Sequence, residues 1–390
     1  MRAKISFDEH RKWLRSSQIA RQVSESFGLL KEKISESAFG PSGDFFAGSQ
    51  YYPEISWGPT VSLMDVPRTR DLYGQDYEKI ILARAAFLHG RRYGGIKPVG
   101  RMIDKSREIA MSEKPIDLEL RFSRAPSLEM QFSQVSQPMG AGAPLKELTL
   151  AGNPKIPKIV DSVIEDKMKA NDAICELAGH GMDNYYLTTL LSAGILGKQG
   201  KKLVPTRWSI TAVDDMLAKS MMDGIREFPQ INEPMVFSNE YLFNHFEILL
   251  MPGNWEFENF EAWAPNTSWG FGSQEYTISE EYEPHGGRSG YAEKQAGGYY
   301  AARLGVCEYL SRIRKQARVV SFREIGEGYQ IPVGVWEVRE NVRHAFLGNP
   351  KKFPSNSEAM AHLQTRLRVP MQKYIAQTKV MTQSRLSEFF

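Results

Sequence analysis

Thr206, Arg207, Ser209, Thr211, Asp214 and Asp215 form the densest candidate constellation for chemistry in this chain. Hydroxyls and a guanidinium at a strand-to-helix junction would stand beside free backbone N–H groups, an arrangement suited to binding a phosphate. Thr206, Arg207, Ser209 and Thr211 are the candidate phosphate ligands, and Arg207, Asp214 and Asp215 are the candidate catalytic groups. The same residues also fit a capped helix over Val213–Ile225. Ser209 or Thr211 would then be the cap, and the two Asp would offset the helix dipole in its first turn. Both readings stay open.

Two acidic groups invite metal chemistry. Glu280, Glu281 and Glu283 with His285, followed by Gly286-Gly287-Arg288, carry the donors that hold Mg²⁺ or Mn²⁺ in nucleases. Glu256, Glu258 and Glu261 invite the same idea. Like-charge runs usually sit in water, so a solvated acidic loop is the expectation and no metal or other cofactor is assigned. A divalent ion enters only if the body is an enzyme acting on nucleic acid or a nucleotide. Cys175 and Cys307 lie far apart in apolar helical patterns and read as small core residues. Gly194-Ile195-Leu196-Gly197-Lys198-Gln199 lacks the glycine spacing and the Ser or Thr of a phosphate-binding P-loop. There is no HExxH, nucleophile elbow or CxxC.

Clustered cations suit DNA phosphates. Arg303, Arg312, Arg314, Lys315 and Arg318 crowd the end of one helical segment and are the DNA-binding candidates. Arg91, Arg92 and Lys97 with Tyr93 make a second group, where a base can stack. An ordinary solvated surface is the slightly favoured reading of either group taken alone. Trp255, Phe257, Phe260, Trp263 and Trp269 are assigned to core and sheet packing.

The elements that must position these residues follow from periodicity. At 390 residues, 42% apolar and 24% charged, the chain can bury a large core in two parts. A net charge of +3 permits a nucleic-acid footprint without requiring one. Helices are expected over Gln75–Leu88, Val99–Ala110, Ile159–Ala178, Asn184–Ala193, Gly298–Gln316, Val335–Phe346 and Glu358–Gln377. Ile116–Phe132 reads as a two-stranded hairpin. Val236–Met251 and Trp255–Trp263 read as strands joined by a turn at Pro252-Gly253-Asn254. Val319–Phe322 and Gln330–Val333 read as short strands. Phe39–Pro67 should hold short strands and turns, and Pro138–Pro157 is linker-like or an ordered loop. The fold class is α+β, with mixed helices and mainly antiparallel sheet. No charged-then-apolar leader opens the chain, and its longest apolar stretch, Leu187–Leu196, is interrupted by Thr188, Thr189 and Ser192. A soluble cytoplasmic protein with no membrane contact is expected.

The last eight residues, Gln383-Ser384-Arg385-Leu386-Ser387-Glu388-Phe389-Phe390, read Q-x-x-L-x-x-F-F. One helical turn would put Leu386, Phe389 and Phe390 on one side as an apolar plug, with Gln383 offering an amide donor and acceptor. The pattern resembles the peptide by which replication and repair proteins dock on the sliding clamp PCNA. That resemblance makes Gln383, Leu386, Phe389 and Phe390 the clamp-binding candidates.

Longer blocks carry a second resemblance. They are Phe46-Ala47-Gly48 through Tyr52-Pro53 to Gly58-Pro59, Gln137-Pro138-Met139-Gly140 to Ala143-Pro144-Leu145-Lys146, Leu203 to Asp215, Gly297 to Arg303, and Ile331 to Trp336. In order along nearly the whole chain, they resemble the archaeal Nre proteins, a two-part DNA-repair family. The resemblance implies residues 1–277 as an N-terminal-type region with a subdivision near 138–157, residues 278–380 as a C-terminal-type region, and 381–390 as a clamp-binding tail. It implies PCNA as a partner, and DNA directly or through the clamp. Many members carry a Cys-rich N-terminal segment that looks metal-binding. This chain begins without it, so any zinc-dependent step is expected to be absent here or supplied otherwise, and no defined reaction is implied.

Overall fold

Where one face of a strand is covered, the sequence alternates, and the first sheet is built this way. The computed structural model describes residues 34–127, 138–198 and 202–381. The clamp motif at 383–390 lies outside them. The described residues divide into one unit of residues 34–127, 138–198 and 202–217 and another of 218–381.

In the first unit the elements run β1 (Ser37–Pro41), β2 (Phe46–Ala47), β3 (Glu54–Gly58), β4 (Thr60–Ser62), α1 (Tyr77–Ala85), β5 (Phe87–Gly95) and α2 (Arg101–Met111). There follow β6 (Asp117–Phe122), β7 (Gly142–Leu150), α3 (Lys158–Glu165), α4 (Ala170–Gly179), α5 (Asn184–Ser192) and the first residues of α6 (Thr206–Glu227). The sheet order is β1-β6-β7-β5-β3-β2, with β4 also on β5. Leu118, Leu120 and Phe122 alternate into a core shared with Val61, Leu88, Ala143, Leu145 and Leu148.

The second unit contains β8 (Met235–Tyr241), β9 (Asn244–Met251), β10 (Glu256–Trp263), β11 (Thr277–Glu283), α7 (Gly297–Ile313) and β12 (Arg318–Ile325). It closes with α8 (Trp336–Ala345), β13 (Lys351–Lys352), α9 (Asn356–Arg366) and α10 (Met371–Ile375). Its sheet order is β11-β10-β12-β9-β8-β13, and β10–β12 is its parallel pair. The described fold is therefore α+β, as expected.

Several elements differ from their sequence reading. Residues 138–157 are not a linker, because β7 pairs with both β5 and β6 inside the sheet. Strand β6 pairs with β1 and β7; residues 128–137, which would hold the second hairpin strand, lie outside the described residues. Ile159–Ala178 is two helices, broken where Lys167 takes a positive φ of 50°. Val236–Met251 is two strands, β8 and β9. They turn at Leu242 and Phe243, both at positive φ without the usual Gly or Asn, and the Asn244 side chain donates to the Leu242 carbonyl at 2.7 Å. Residues 330–333 form no strand, and Pro370 separates α9 from α10.

The expected hairpin at Pro252-Gly253-Asn254 is also different. β9 and β10 do not pair with each other. Strand β12 lies between them, antiparallel to β9 and parallel to β10. Gly253 makes the crossing possible, since a Cβ there would come 2.5 Å from Cδ of Arg318 beneath it.

β9, β10 and β12 are buried along their whole length on both faces. One face packs Phe260 on Phe322 and both against Tyr374, within a cluster that includes Leu249, Val320, Leu363 and Val369. The other face is covered by α7 and α8 and carries a fully enclosed charge network. Arg323 donates to Asn244 at 2.9 Å, to Glu261 at 2.8 Å and to Glu337 at 3.1 Å.

Two carboxylates sharing one guanidinium leave an excess negative charge in a dry interior. Burial pushes Glu337 from 4.5 up to about 7, against the pull of Arg323. The folded chain thus holds a proton that the unfolded chain has released. The stability this contributes is complete below about pH 4.5 and is lost as the pH rises through about 7. Relative to wild type, Glu337→Gln should remove a pH-dependent component on the order of 3 kcal/mol across that window. Urea titrations at several pH values check this; identical slopes for the two proteins would refute it.

Candidate functional site

The Thr206–Asp215 block opens a helix that begins seven residues earlier than its periodicity suggests. Pro205 sets the start, because its fixed φ suits the first turn and the residue before it is barred from helix. Its carbonyl accepts from the N–H groups of Trp208 at 2.8 Å and Ser209 at 2.9 Å. The Thr206 hydroxyl accepts from the Ala47 N–H at 2.9 Å and shares a hydrogen bond with the Ser192 hydroxyl at 2.9 Å. It therefore ties α6 to β2 and α5. Ser209 is buried and donates to the Val204 carbonyl at 3.3 Å, while Thr211 bonds back to the Arg207 carbonyl at 3.5 Å.

This geometry separates the proposed catalytic trio. Arg207 is exposed, Asp214 is completely buried and Asp215 is half-buried, two turns inside the helix. The Asp pair neither caps the helix nor meets Arg207 in an open cleft. Ser209 and Thr211, as interior helical residues, are not caps either.

What does stand at the start of α6 is an aromatic pair. The rings of Tyr52 and Trp208 lie 4.9 Å apart, and both are substantially exposed. On β5, Arg91 and Tyr93 share one face and Arg92 the other, where it donates to the Leu145 carbonyl at 3.3 Å. Lys97 is exposed beyond the strand end.

Sequence reasoning missed His89, two positions before Arg91 on the same face. It is 8% exposed, and its ring meets Phe46 edge-on at 5.2 Å. Burial, helped by the Arg91 cation, pushes it from 6.5 down to about 3, so it is neutral. The alternation His89-x-Arg91-x-Tyr93 was the available signal. Also in the first unit, a polar cavity of about 40 Å³ is lined by Ser42, Asp44, Arg68, Arg70, Lys114 and Tyr186 among others.

The acidic groups of the second unit are not solvated loops. Glu280, Glu281 and Glu283 alternate along β11, so Glu280 faces away from the other two. Glu281 accepts from Arg288 at 2.9 Å and from the Lys294 N–H at 2.8 Å. Glu283 accepts from Arg303 at 2.6 Å and from the Tyr299 hydroxyl at 2.7 Å. Glu256 and Glu258 lie on one face of β10 and Glu261 on the other. Among the described residues, no group of three His, Cys, Asp or Glu is placed to hold a metal ion.

The basic candidates divide as well. Arg303 is fully enclosed with Glu283, and Arg318 is buried beside Glu256 and donates to the Val380 carbonyl. Neither offers its charge to a DNA backbone. Arg312 and Arg314 are exposed and Lys315 half-buried. Arg314, in the left-handed conformation that ends α7, lies 5.0 Å over the Phe228 ring. No helix among the described residues is long and apolar enough to cross a membrane.

A fold of two sheet-bearing units with this order of sequence blocks defines a class. The family model described as Archaeal Nre, N-terminal, matches residues 14–270, and Archaeal Nre, C-terminal, matches residues 283–389. The chain belongs to the archaeal Nre family. It is 36% identical over 351 residues to the DNA repair protein NreA of Archaeoglobus fulgidus, covering 88% of this chain and 89% of that protein. It is 34% identical over 329 residues to the DNA repair protein NreA of Haloferax volcanii, covering 79% and 78% respectively. The DNA repair protein NreB of Archaeoglobus fulgidus is 32% identical over 349 residues, covering 87% of this chain and 88% of that protein. No solved structure matches.

The Arg303–Glu283 pair should behave as structure rather than as a DNA contact. Arg303→Met strands a carboxylate in a dry interior and should cost about 3–5 kcal/mol in urea unfolding. Adding Glu283→Gln should recover most of that loss, and a double variant as unstable as the single would contradict this account.

Proposed function

We propose that this protein is a DNA-repair factor recruited to the PCNA sliding clamp through Gln383, Leu386, Phe389 and Phe390. The Q-x-x-L-x-x-F-F at 383–390 carries the reading: one aliphatic and two adjacent aromatic side chains at this spacing match the clamp-docking pattern, and such a cluster is poorly tolerated in water without a partner. Family membership supports the repair role, since the relatives described above are named DNA repair proteins. The segment before the motif is well held. Glu258 accepts from the Thr378 hydroxyl and, at 2.7 Å, from the Lys379 N–H, so the motif starts a few residues beyond an anchored point. Arg312, Arg314 and Lys315 remain the phosphate-contacting candidates of α7, with the clamp bringing them to DNA.

A second reading is favoured by one observation. At the start of α6 the N–H groups of Thr206 and Arg207 have no hydrogen-bond partner among the described residues, and the Arg207 side chain is exposed beside them. That end of the helix is suited to a phosphate, which would make the body a binder of nucleotides or nucleic acid delivered by the same tail.

Calorimetry of the full chain against PCNA tests the first reading. Wild type should bind at about micromolar affinity, set by three buried apolar side chains. Phe389→Ala with Phe390→Ala should weaken binding at least about tenfold, with the thermal transition of the body unchanged. Equal affinity for the two proteins would rule out the motif as the dock.

A further inference from the structure

Strand by strand, the first unit closes on itself. β3 and β4 face β5 in a single register, from Glu54 opposite Gly95 to Ser62 opposite Phe87, so they are one strand interrupted at Pro59. β1 and β2 likewise act as one bent strand, whose first half pairs with β6. Its second half returns along β4 and β3. It is held there by the bridge between Ser42 and Val61, the Gly43 N–H bond to the Thr60 carbonyl at 2.9 Å, and the pairing of Phe46 with Gly58. The strands therefore follow one another round a ring: β1 with β2, β3 with β4, β5, β7, β6 and back to β1. Each neighbouring pair is antiparallel except β5 with β7. Helix α2 joins β5 to β6 and packs Ile109 and Met102 into the core of the ring. This strand order, with its single parallel pair and its helix between the third and fourth strands, is that of an OB-fold barrel.

Alternation assigns the two sides of the wall. Ile55, Trp57, Val61 and Leu88 are buried, and the last two share the core with Leu118, Leu120 and Leu145. Ser56, Gly58, His89, Arg91 and Tyr93 therefore point outwards. His89, whose Nδ1 finds no partner, lies against Phe46, and the open part of the wall begins at Arg91. Tyr93 stands beside Ser56 and is 65% exposed. Gly95, the next outward position, adds no side chain. At that end of the wall the hairpin of residues 49–53 presents Tyr51, 78% exposed, and Tyr52, which packs on Trp208.

The charge on this wall is positive and unspent. Arg91 makes no hydrogen bond or ion pair among the described residues, and its Nε is shut from solvent. The guanidinium lies against Gly142 of β7, where a Cβ would come within 2.5 Å of Nε and 2.9 Å of Cζ. It is held in place without being neutralised. Lys97 is exposed just beyond the end of β5. Lys202 is exposed beside it, since the Leu203 N–H bonds to the Ile96 carbonyl at 2.8 Å. The only carboxylate carried by β3 or β5 is Glu54.

We propose that the outer face of β3 and β5, with the hairpin of residues 49–53, binds single-stranded nucleic acid. Arg91, Lys97 and Lys202 contact phosphates, while Tyr93 and Tyr51 offer ring faces to bases. The cations require an anionic partner, and exposed rings beside them select a strand whose bases are not already paired. In barrels of this connectivity the face of the second and third strands and the hairpin joining the first two are the surfaces free to take an oligonucleotide. The site is separate from the clamp motif and from the amide end of α6 and depends on neither.

Fluorescence anisotropy of the full chain tests this with three labelled probes about 15 nucleotides long: oligothymidylate, oligouridylate and a DNA duplex. A single strand should bind at least about tenfold tighter than the duplex, and the tighter of the two single strands distinguishes DNA from RNA. Tyr93→Ala should weaken that binding about tenfold with the thermal transition unchanged, because the ring is exposed. Arg91→Ala should also weaken it and lower the slope of log affinity against log salt by about 0.7, the mark of one lost phosphate contact. Arg91→Lys should restore that slope. Arg121→Ala, which removes an exposed cation from the outer face of β6, should change neither quantity. A duplex bound as tightly as the single strands, full affinity in Tyr93→Ala, or equal weakening by Arg121→Ala would overturn the proposal. Loss of binding in Arg207→Ala with Tyr93→Ala unaffected would also overturn it and move the contact to α6. PCNA affinity is measured separately, so failure here leaves the clamp reading untouched.

Discussion

The central strands β9, β10 and β12 of the second unit are sealed on both faces, yet they carry charges; each such charge must find a partner or be neutralised. That constraint organises the unit. Arg323 and Glu324 are neighbours in β12 and so point to opposite faces. Arg323 joins Glu261 and Glu337 beneath α7 and α8. Glu324 accepts from the N–H groups of Arg368 and Val369, both at 2.8 Å, and from the Tyr374 hydroxyl at 3.0 Å on the other side. One dipeptide thereby fixes the layers above and below. Glu247 and Glu258 act in the same way, holding Arg366 and Lys379 against the sheet. Buried pairs of this kind add little net stability compared with hydrophobic replacements, but a one-residue slip of β12 would put Arg323 and Glu324 each on the wrong face.

The same constraint explains what was legible in the sequence. Helices such as α2, covered on one face, and the nearly enclosed α5 followed from their apolar pattern almost to the residue. Strand β6, covered on one face, alternated cleanly. In β10 alternation failed, because both faces are interior and glutamates stand where apolar residues would be expected; in the half-buried edge strand β11 glutamates fall on both faces. A run such as Glu280-Glu281-Tyr282-Glu283 looks solvated until Arg288, Lys294 and Arg303 are seen to arrive from elsewhere in the chain. The insertion of β12 between two sequence neighbours has no local signature at all.

Around the candidate site the balance is different. Thr206 and Arg207 are recognisable as polar residues near a helix start, but Pro205 sets that start seven residues before the apolar pattern does. Asp214 and Asp215 then looked terminal when they are interior. His89 passed unnoticed because a single histidine in an apolar strand has many uses; only its buried, unmatched nitrogen distinguishes it. Of the blocks that carried the archaeal Nre resemblance, Gly297–Arg303 and Ile331–Trp336 lie in the second unit and the others in the first. Phe46–Gly48, Tyr52, Gly58, Gly140–Lys146 and Leu203–Trp208 all belong to the first unit, and direct bonds or ring contacts join several of them.

The crossing at Gly253 bears on how the chain is made. Strands β9 and β10 are held about two strand spacings apart, roughly 10 Å, by the four residues 252–255. During synthesis both leave the ribosome well before residues 318–325. Until those residues arrive, two inner edges face an empty slot, each with a row of unanswered N–H and C=O groups. Any extended segment of suitable length can enter it. A ribosome stalled short of Ile325 would therefore release not a smaller folded protein but a receptor for foreign strands, and a second incomplete copy is the nearest source of one.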